Sequence, residues 1–164
     1  MNILYLHGLD SSLNTDKRAI LEEFGTVFSP QIDYRNDERS IESLIKLYND
    51  KNIDFIIGSS MGGFAAYYIA NKFQRPALLF NPALAYRSIH QEIPDIKNPI
   101  SNLKHLVLGA KDEVIDPKST LEFLSNSIEI DNYNIKIRQD LQHRIPEEIF
   151  EVEVKAFFKA LLLK

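Results

Sequence analysis

Cysteine is absent from all 164 residues. That removes disulfides, cysteine-based metal sites and cysteine nucleophiles together, and it fits a reducing compartment. No apolar run approaches the roughly 18 residues that mark a membrane-spanning helix. Positive charge is gathered nowhere: the formal charge is −4, with acids and bases mixed along the chain. Without a basic stripe to meet a phosphate backbone, nucleic acid is not an expected partner. The opening MNILYLHG has neither a positive region nor a small-residue cleavage site, so an unprocessed, cytoplasmic protein without membrane association is expected. No linker, repeat or low-complexity tract interrupts the chain, and 45% of it is apolar, which points to one domain over 1–164.

What is present is a rhythm. Short apolar runs occur at 3–6, 26–29, 53–58, 77–80, 105–109 and 133–137. Amphipathic segments lie between and after them, near 15–24, 38–49, 61–73, 117–125 and 146–163. Alternation of this kind predicts βαβ units: a mostly parallel, six-stranded sheet with helices on both faces, hence a three-layer α/β/α sandwich. Asp116-Pro117 has the form of an N-cap with proline at the first helical position. Phe150, Val154, Phe157 and Leu161 recur at helical spacing and should face the sheet. The one long stretch without a clear strand, 82–104, has the size of a short lid-like insertion.

The segment DFIIGSSMGG, 54–63, runs from a strand into a glycine-rich turn before a helix. Ser60 alone has glycines at both minus two and plus two, giving G-x-S-x-G. A strand–serine–helix turn lifts the hydroxyl above the sheet in a strained conformation, and small neighbours let the strand and helix approach. The bland alternative is a glycine-rich connection with an N-capping serine. A phosphate loop is disfavoured, because G-x-x-x-x-G-K-[ST] is absent. In LYLHGLDSS, 4–12, His7-Gly8 ends the first strand, and a flexible Gly8 could turn the amide of Leu9 toward the same pocket as that of Met61. Two such N–H donors would stabilise a developing oxyanion. His7 is expected to be structural.

A serine nucleophile needs a base, and the base an orienting acid. Of the four histidines, His105 opens a strand and is expected at the sheet edge, far from the carboxyl ends. His90 lies in the lid-like stretch and, with Tyr86 and Arg87, is a candidate substrate contact. His143 falls between the last strand and the last helix, at the carboxyl end of the sheet, and is the candidate base. For the acid, Asp112 is favoured, with Asp140, in the same loop as His143, as its rival. Asp116 is already explained as a cap. The order Ser60, Asp112, His143 is that of an α/β-hydrolase.

LYLHGLDSS, GSSMGGFAA, FNPAL, GAKDEV and the final histidine before a helix resemble the small YqiA-like esterase group of the α/β-hydrolase superfamily. The likeness runs over nearly the whole chain. It implies a minimal α/β-hydrolase with reduced N-terminal strands and a small cap. It also implies Ser60 as nucleophile, Asp112 as acid, His143 as base and the Leu9 and Met61 amides as oxyanion donors. Such proteins often carry G-G-D-H before the base, whereas this chain has Gln139-Asp140-Leu141-Gln142-His143, so a differently turned loop is expected. The expected chemistry is hydrolysis of a small acyl ester through an acyl-enzyme, without metal or organic cofactor. A thioester would use the same groups. A non-catalytic, flavodoxin-like binding module is the rival class, since fold alone does not fix function.

Overall fold

The computed structural model describes residues 1–96, 102–126 and 132–162. Its elements follow in the order β1 (Asn2–Leu6), α1 (Thr15–Glu22), β2 (Thr26–Phe28), α2 (Ser40–Tyr48), β3 (Phe55–Ser59), α3 (Met61–Phe73), β4 (Ala77–Phe80), β5 (Leu103–Gly109), α4 (Pro117–Ser125), β6 (Asn132–Arg138) and α5 (Glu147–Leu162). The six strands form one sheet in the order β2-β1-β3-β4-β5-β6, and every neighbouring pair is parallel.

Side chains alternate between the two faces of a strand, so a sheet covered on both sides reads as a continuous apolar run. In β1, Leu4 and Leu6 join a core with α2, α3 and α4, while Ile3 and Tyr5 join a second core with α1 and α5. The α5 stripe is seated as its spacing predicts: Phe150, Val154, Phe157 and Phe158 are buried on the second face, with Leu161 packed against them. Asp116 caps α4 by accepting from the amides of Lys118 and Ser119, ahead of Pro117. His105 departs from the expectation of a sheet-edge position. It is buried on β5, paired with β4 on one side and β6 on the other, and its ring meets Phe157 edge-on. The inward periodicity of the second core takes precedence over its polarity, and burial holds its imidazole below the ordinary range.

The lid-like stretch is described only in part, since 97–101 lie outside the described residues. Residues 82–96 form neither helix nor strand. Ala83 and Leu84 are buried in the first core, and the buried amide of Gln91 binds the Ser40 hydroxyl and the carbonyls of Tyr34 and Asp37. Among the described residues no helix is long and apolar enough to cross a membrane.

The strand order reverses between β1 and β3, since the chain leaves β1 for β2 on one side and returns to β3 on the other. Ligands of open α/β sheets bind beyond the carboxyl ends at such a switch point. Here α3 is pressed onto the sheet. A Cβ on Gly62 would stand 2.0 Å from the Leu6 carbonyl oxygen and 2.4 Å from that of His7. One on Gly58 would stand 2.3 Å from the Gly62 oxygen. These atoms are backbone and cannot rotate aside. Gly62→Ala is therefore expected to cost at least about 3 kcal/mol, the upper end of ordinary overpacking, measured by urea denaturation. A midpoint equal to that of the parent would contradict this account of the α3–β1 contact.

Candidate active site

Ser60 follows β3 and caps α3 with φ 54° and ψ −119°. A non-glycine residue in such a region carries about 1–3 kcal/mol of strain and persists only where its surroundings hold it. Its N–H donates to the Phe80 carbonyl at 3.0 Å, and its own carbonyl accepts from Phe64 and Ala83 at 3.0 and 3.1 Å. The neighbouring Ser59 ends β3 and shares a side-chain hydrogen bond with Tyr5, whose phenol burial pushes upward. That leaves Ser60 as the serine of the turn itself.

The pairing of Leu6 with Gly58 carries forward to set Gly8 beside Ser60. A Cβ on Gly8 would lie 3.4 Å from the Ser60 Cβ and 3.9 Å from its Oγ. Gly8 thus keeps the space beside the hydroxyl clear. Contrary to the expectation of a flexible turn there, no glycine has positive φ, and the left-handed residue of this loop is Asp10, at φ 51°. Met61 opens the 13-residue α3, where first-turn amides lack intrahelical partners and the helix dipole is positive. Leu9 and Met61 both line the cleft over Ser60, a space of about 610 Å³.

His7 is structural. Its Nε2 accepts from the Ile32 amide at 2.9 Å, which puts the ring proton on Nδ1, 2.6 Å from the Gly8 carbonyl. Its own carbonyl accepts from the Tyr34 hydroxyl. Both ring nitrogens are spent on holding the 7–9 loop.

Asp112 and His143 come together. The Nδ1 of His143 is 2.8 Å from Oδ2 of Asp112, whose side chain is fully buried. Oδ1 of Asp112 accepts from the amides of Val114 and Ile115 at 2.8 and 2.9 Å, which fixes the carboxylate plane. Asp140 points elsewhere, as an exposed two-pronged partner of Arg138 at 3.0 and 2.7 Å. The loop departs from G-G-D-H because Leu141 anchors it: this side chain is fully buried in the second core. His143 lines the same cleft as Ser60. Tyr86 and Arg87 line it too, whereas His90 is exposed and is not among the cleft-lining residues. Among the described residues, no three His, Asp or Glu side chains gather in a group that could hold a metal ion.

Sequence reasoning missed Asn81, within FNPAL. It is buried at the end of β4 with φ 41°. Its Nδ2 donates to the carbonyls of Gln142 and His143 at 2.9 and 3.2 Å, and its Oδ1 accepts from the Gly109 amide at 2.7 Å. One side chain thus ties the end of β5, which leads to Asp112, to the loop of His143. Lys111 N–H, donating to the Leu141 carbonyl at 3.1 Å, laces the same loops. The signal was available: asparagine tolerates the left-handed region better than other non-glycine residues, and it stands directly before a proline at a strand end.

The sheet, its switch point and its helical layers define an α/β-hydrolase fold. Solved structures agree at this level. Over 97% of this chain and 81% of that one, an esterase of Pyrococcus furiosus superposes with TM-score 0.73 at 17% identity. Arabidopsis thaliana SOBER1 gives 0.71 at 13% identity, covering 99% of each chain. A Bacillus cereus carboxylesterase gives 0.67 at 16% identity, over 96% of this chain and 87% of that one. Within the fold, the chain belongs to the Uncharacterised protein family (UPF0227), which it matches over residues 2–102, and this is the YqiA-like group its motifs resemble. The matched span contains Ser60 and the Leu9 loop, while Asp112 and His143 lie beyond it.

Asn81→Ala removes two buried donors and one buried acceptor. At about 1 kcal/mol for each bond, a loss of roughly 2–4 kcal/mol is expected in urea denaturation. The His143 ring resonances should also broaden as its loop loosens. An unchanged midpoint with unchanged His143 resonances would show that the clamp holds nothing.

Proposed function

We propose that the chain is a serine hydrolase that cleaves small carboxylic esters through an acyl-enzyme. The observation that carries this reading is the Asp112–His143 hydrogen bond in the wall of the cleft that holds the strained Ser60. A purely binding crevice has no need of either the strain or the buried acid–imidazole pair. In this reading the Nδ1–H of His143 is held by Asp112, leaving Nε2 to take the Ser60 proton as Oγ attacks the ester carbonyl. The amides of Leu9 and Met61 receive the oxyanion, with Gly8 leaving room for it. The leaving alcohol departs with the proton from His143. Water, deprotonated by the same imidazole, then attacks the acyl carbon and frees the acid. Asp112 steadies the imidazolium that forms. Two structural relatives are described as an esterase and a carboxylesterase, which supports esters among the chemistries of this fold.

A fluorophosphonate probe should add one adduct to the intact mass. The adduct should be lost in Ser60→Ala and kept in Ser59→Ala, and equal labelling of both variants would remove Ser60 from the role. If no variant labels, the non-catalytic reading gains.

Replacing the orienting aspartate of a serine protease by asparagine lowers kcat about 10⁴-fold. Asp112→Asn should therefore approach that loss while Asp140→Asn stays within about tenfold of the parent, both folded by circular dichroism. The reverse ranking would make Asp140 the acid.

A further inference from the structure

The cleft over Ser60 collects positive charge although the chain as a whole is acidic, with 19 Lys and Arg against 23 Asp and Glu. Lys17, Arg87 and Arg144 line it, and among the described residues Asp10 is the only lining acid. Asp10 is already answered by Arg35, which donates to both of its oxygens at 3.0 and 2.5 Å and holds its carboxyl below the usual range. Arg35 itself is not a lining residue.

The cations are steadied without being satisfied. Lys17 Nζ donates to the Ile145 carbonyl at 2.6 Å and lies 5.3 Å from the centre of the Phe150 ring. Arg87 lies 4.1 Å over the Phe64 ring and gives one N–H to the Leu84 carbonyl at 3.3 Å, and its buried Nε has no partner. An ammonium has three donors and a guanidinium five, so each side chain has donors to spare. The charged groups facing Lys17 are Glu147, which favours its charge, and Arg144, which opposes it; burial, the largest influence, lowers its pKa. A half-buried ammonium with a second cation beside it is an environment that an incoming anion would relieve.

We propose, on the serine-hydrolase reading above, that the substrate is an anionic ester: one that carries, besides the scissile bond, a carboxylate or phosphate held by Lys17, Arg87 and Arg144. The reaction is ordinary hydrolysis. Ser60 Oγ forms the acyl bond as the ester C–O bond breaks, and the alkoxide leaves with the proton from His143. Water then supplies hydroxide to the acyl carbon and a proton to Ser60 by way of His143. The anion can belong to the acyl or the alcohol side, because both halves of an ester held at Ser60 flank the scissile carbonyl within this one cleft.

Initial rates on two ester pairs distinguish these sides. Monoethyl succinate against ethyl butanoate carries the charge on the acyl side. The butanoate ester of 2-hydroxyethyl phosphate against that of ethylene glycol carries it on the alcohol side. In one pair, kcat/KM for the anionic member is expected to exceed that of its neutral partner by about tenfold or more at low salt. The ratio should shrink toward one at 0.5 M salt, as screening requires, and should collapse in Lys17→Gln/Arg144→Gln. Should that variant not fold, succinate protection of the parent against fluorophosphonate labelling replaces it, and protection must weaken with salt. If Ser60 labels but charged and neutral esters are cleaved equally in both pairs, the anion site is refuted and the hydrolase reading stands. If Ser60 neither labels nor turns over any ester, both fall.

Discussion

The contact between Gly62 and the carbonyls of Leu6 and His7 sets the height of α3 above the sheet, and with it the Ser60 side of the cleft. Pulled this close, the chain must pass from β3 into α3 within a single residue, and that residue is Ser60. Its left-handed φ is what remains when a strand and a helix meet at backbone distance. The same approach brings the end of β1 beside the turn, so Gly8 and Ser60 face each other. Strain at the serine and crowding at the glycines are two sides of one packing choice. An added methyl group at Gly62 would act on both.

The other half of the site is organised by hydrogen bonds between loops. Asp112 leaves β5 and His143 follows β6, the outermost strand, so neither is positioned by the elbow. Asn81 and Lys111 draw the two loops together, and Leu141 pins the second one into the core. The cleft is therefore a meeting of a rigid backbone turn with a polar clamp. Asn81 and Leu141 of the clamp are buried, while Ser60 of the turn is half-buried and lines the cleft.

Much of this was legible in the sequence because it rests on local pattern. The bounds of β4, α3 and α4 follow the apolar runs and the Asp116-Pro117 cap, which are properties of neighbouring residues. Ser60 stood out for the same reason, since G-x-S-x-G is a short-range steric statement. Long-range choices were harder. Asp112 was favoured over Asp140, but the reason Asp140 turns away is long-range: Leu141 is buried and Asp140 faces outward to Arg138. Asn81 before Pro82 marked a strand-end turn, but its clamping role was not legible, because its partners lie 28 to 62 residues away. His105 was misplaced because it opens the apolar run, whereas β5 begins two residues earlier at Leu103 and runs between β4 and β6. Gly8 was given conformational freedom when its use is the absence of a side chain beside Ser60.

The order of these parts along the chain has a consequence for how the protein comes into being. Ser60 and its strained turn belong to the first half of the chain, while His143 sits just before α5, the last helix. A ribosome therefore delivers the serine long before the imidazole, and Leu141 of the His143 loop is buried in the same core in which α5 packs on β1, β3 and β4. On the proposed mechanism, a nascent or C-terminally clipped chain would hold its serine in a silent state. Hydrolytic competence would arrive in one step with the closing of the second core, so that turnover itself would report the completion of folding.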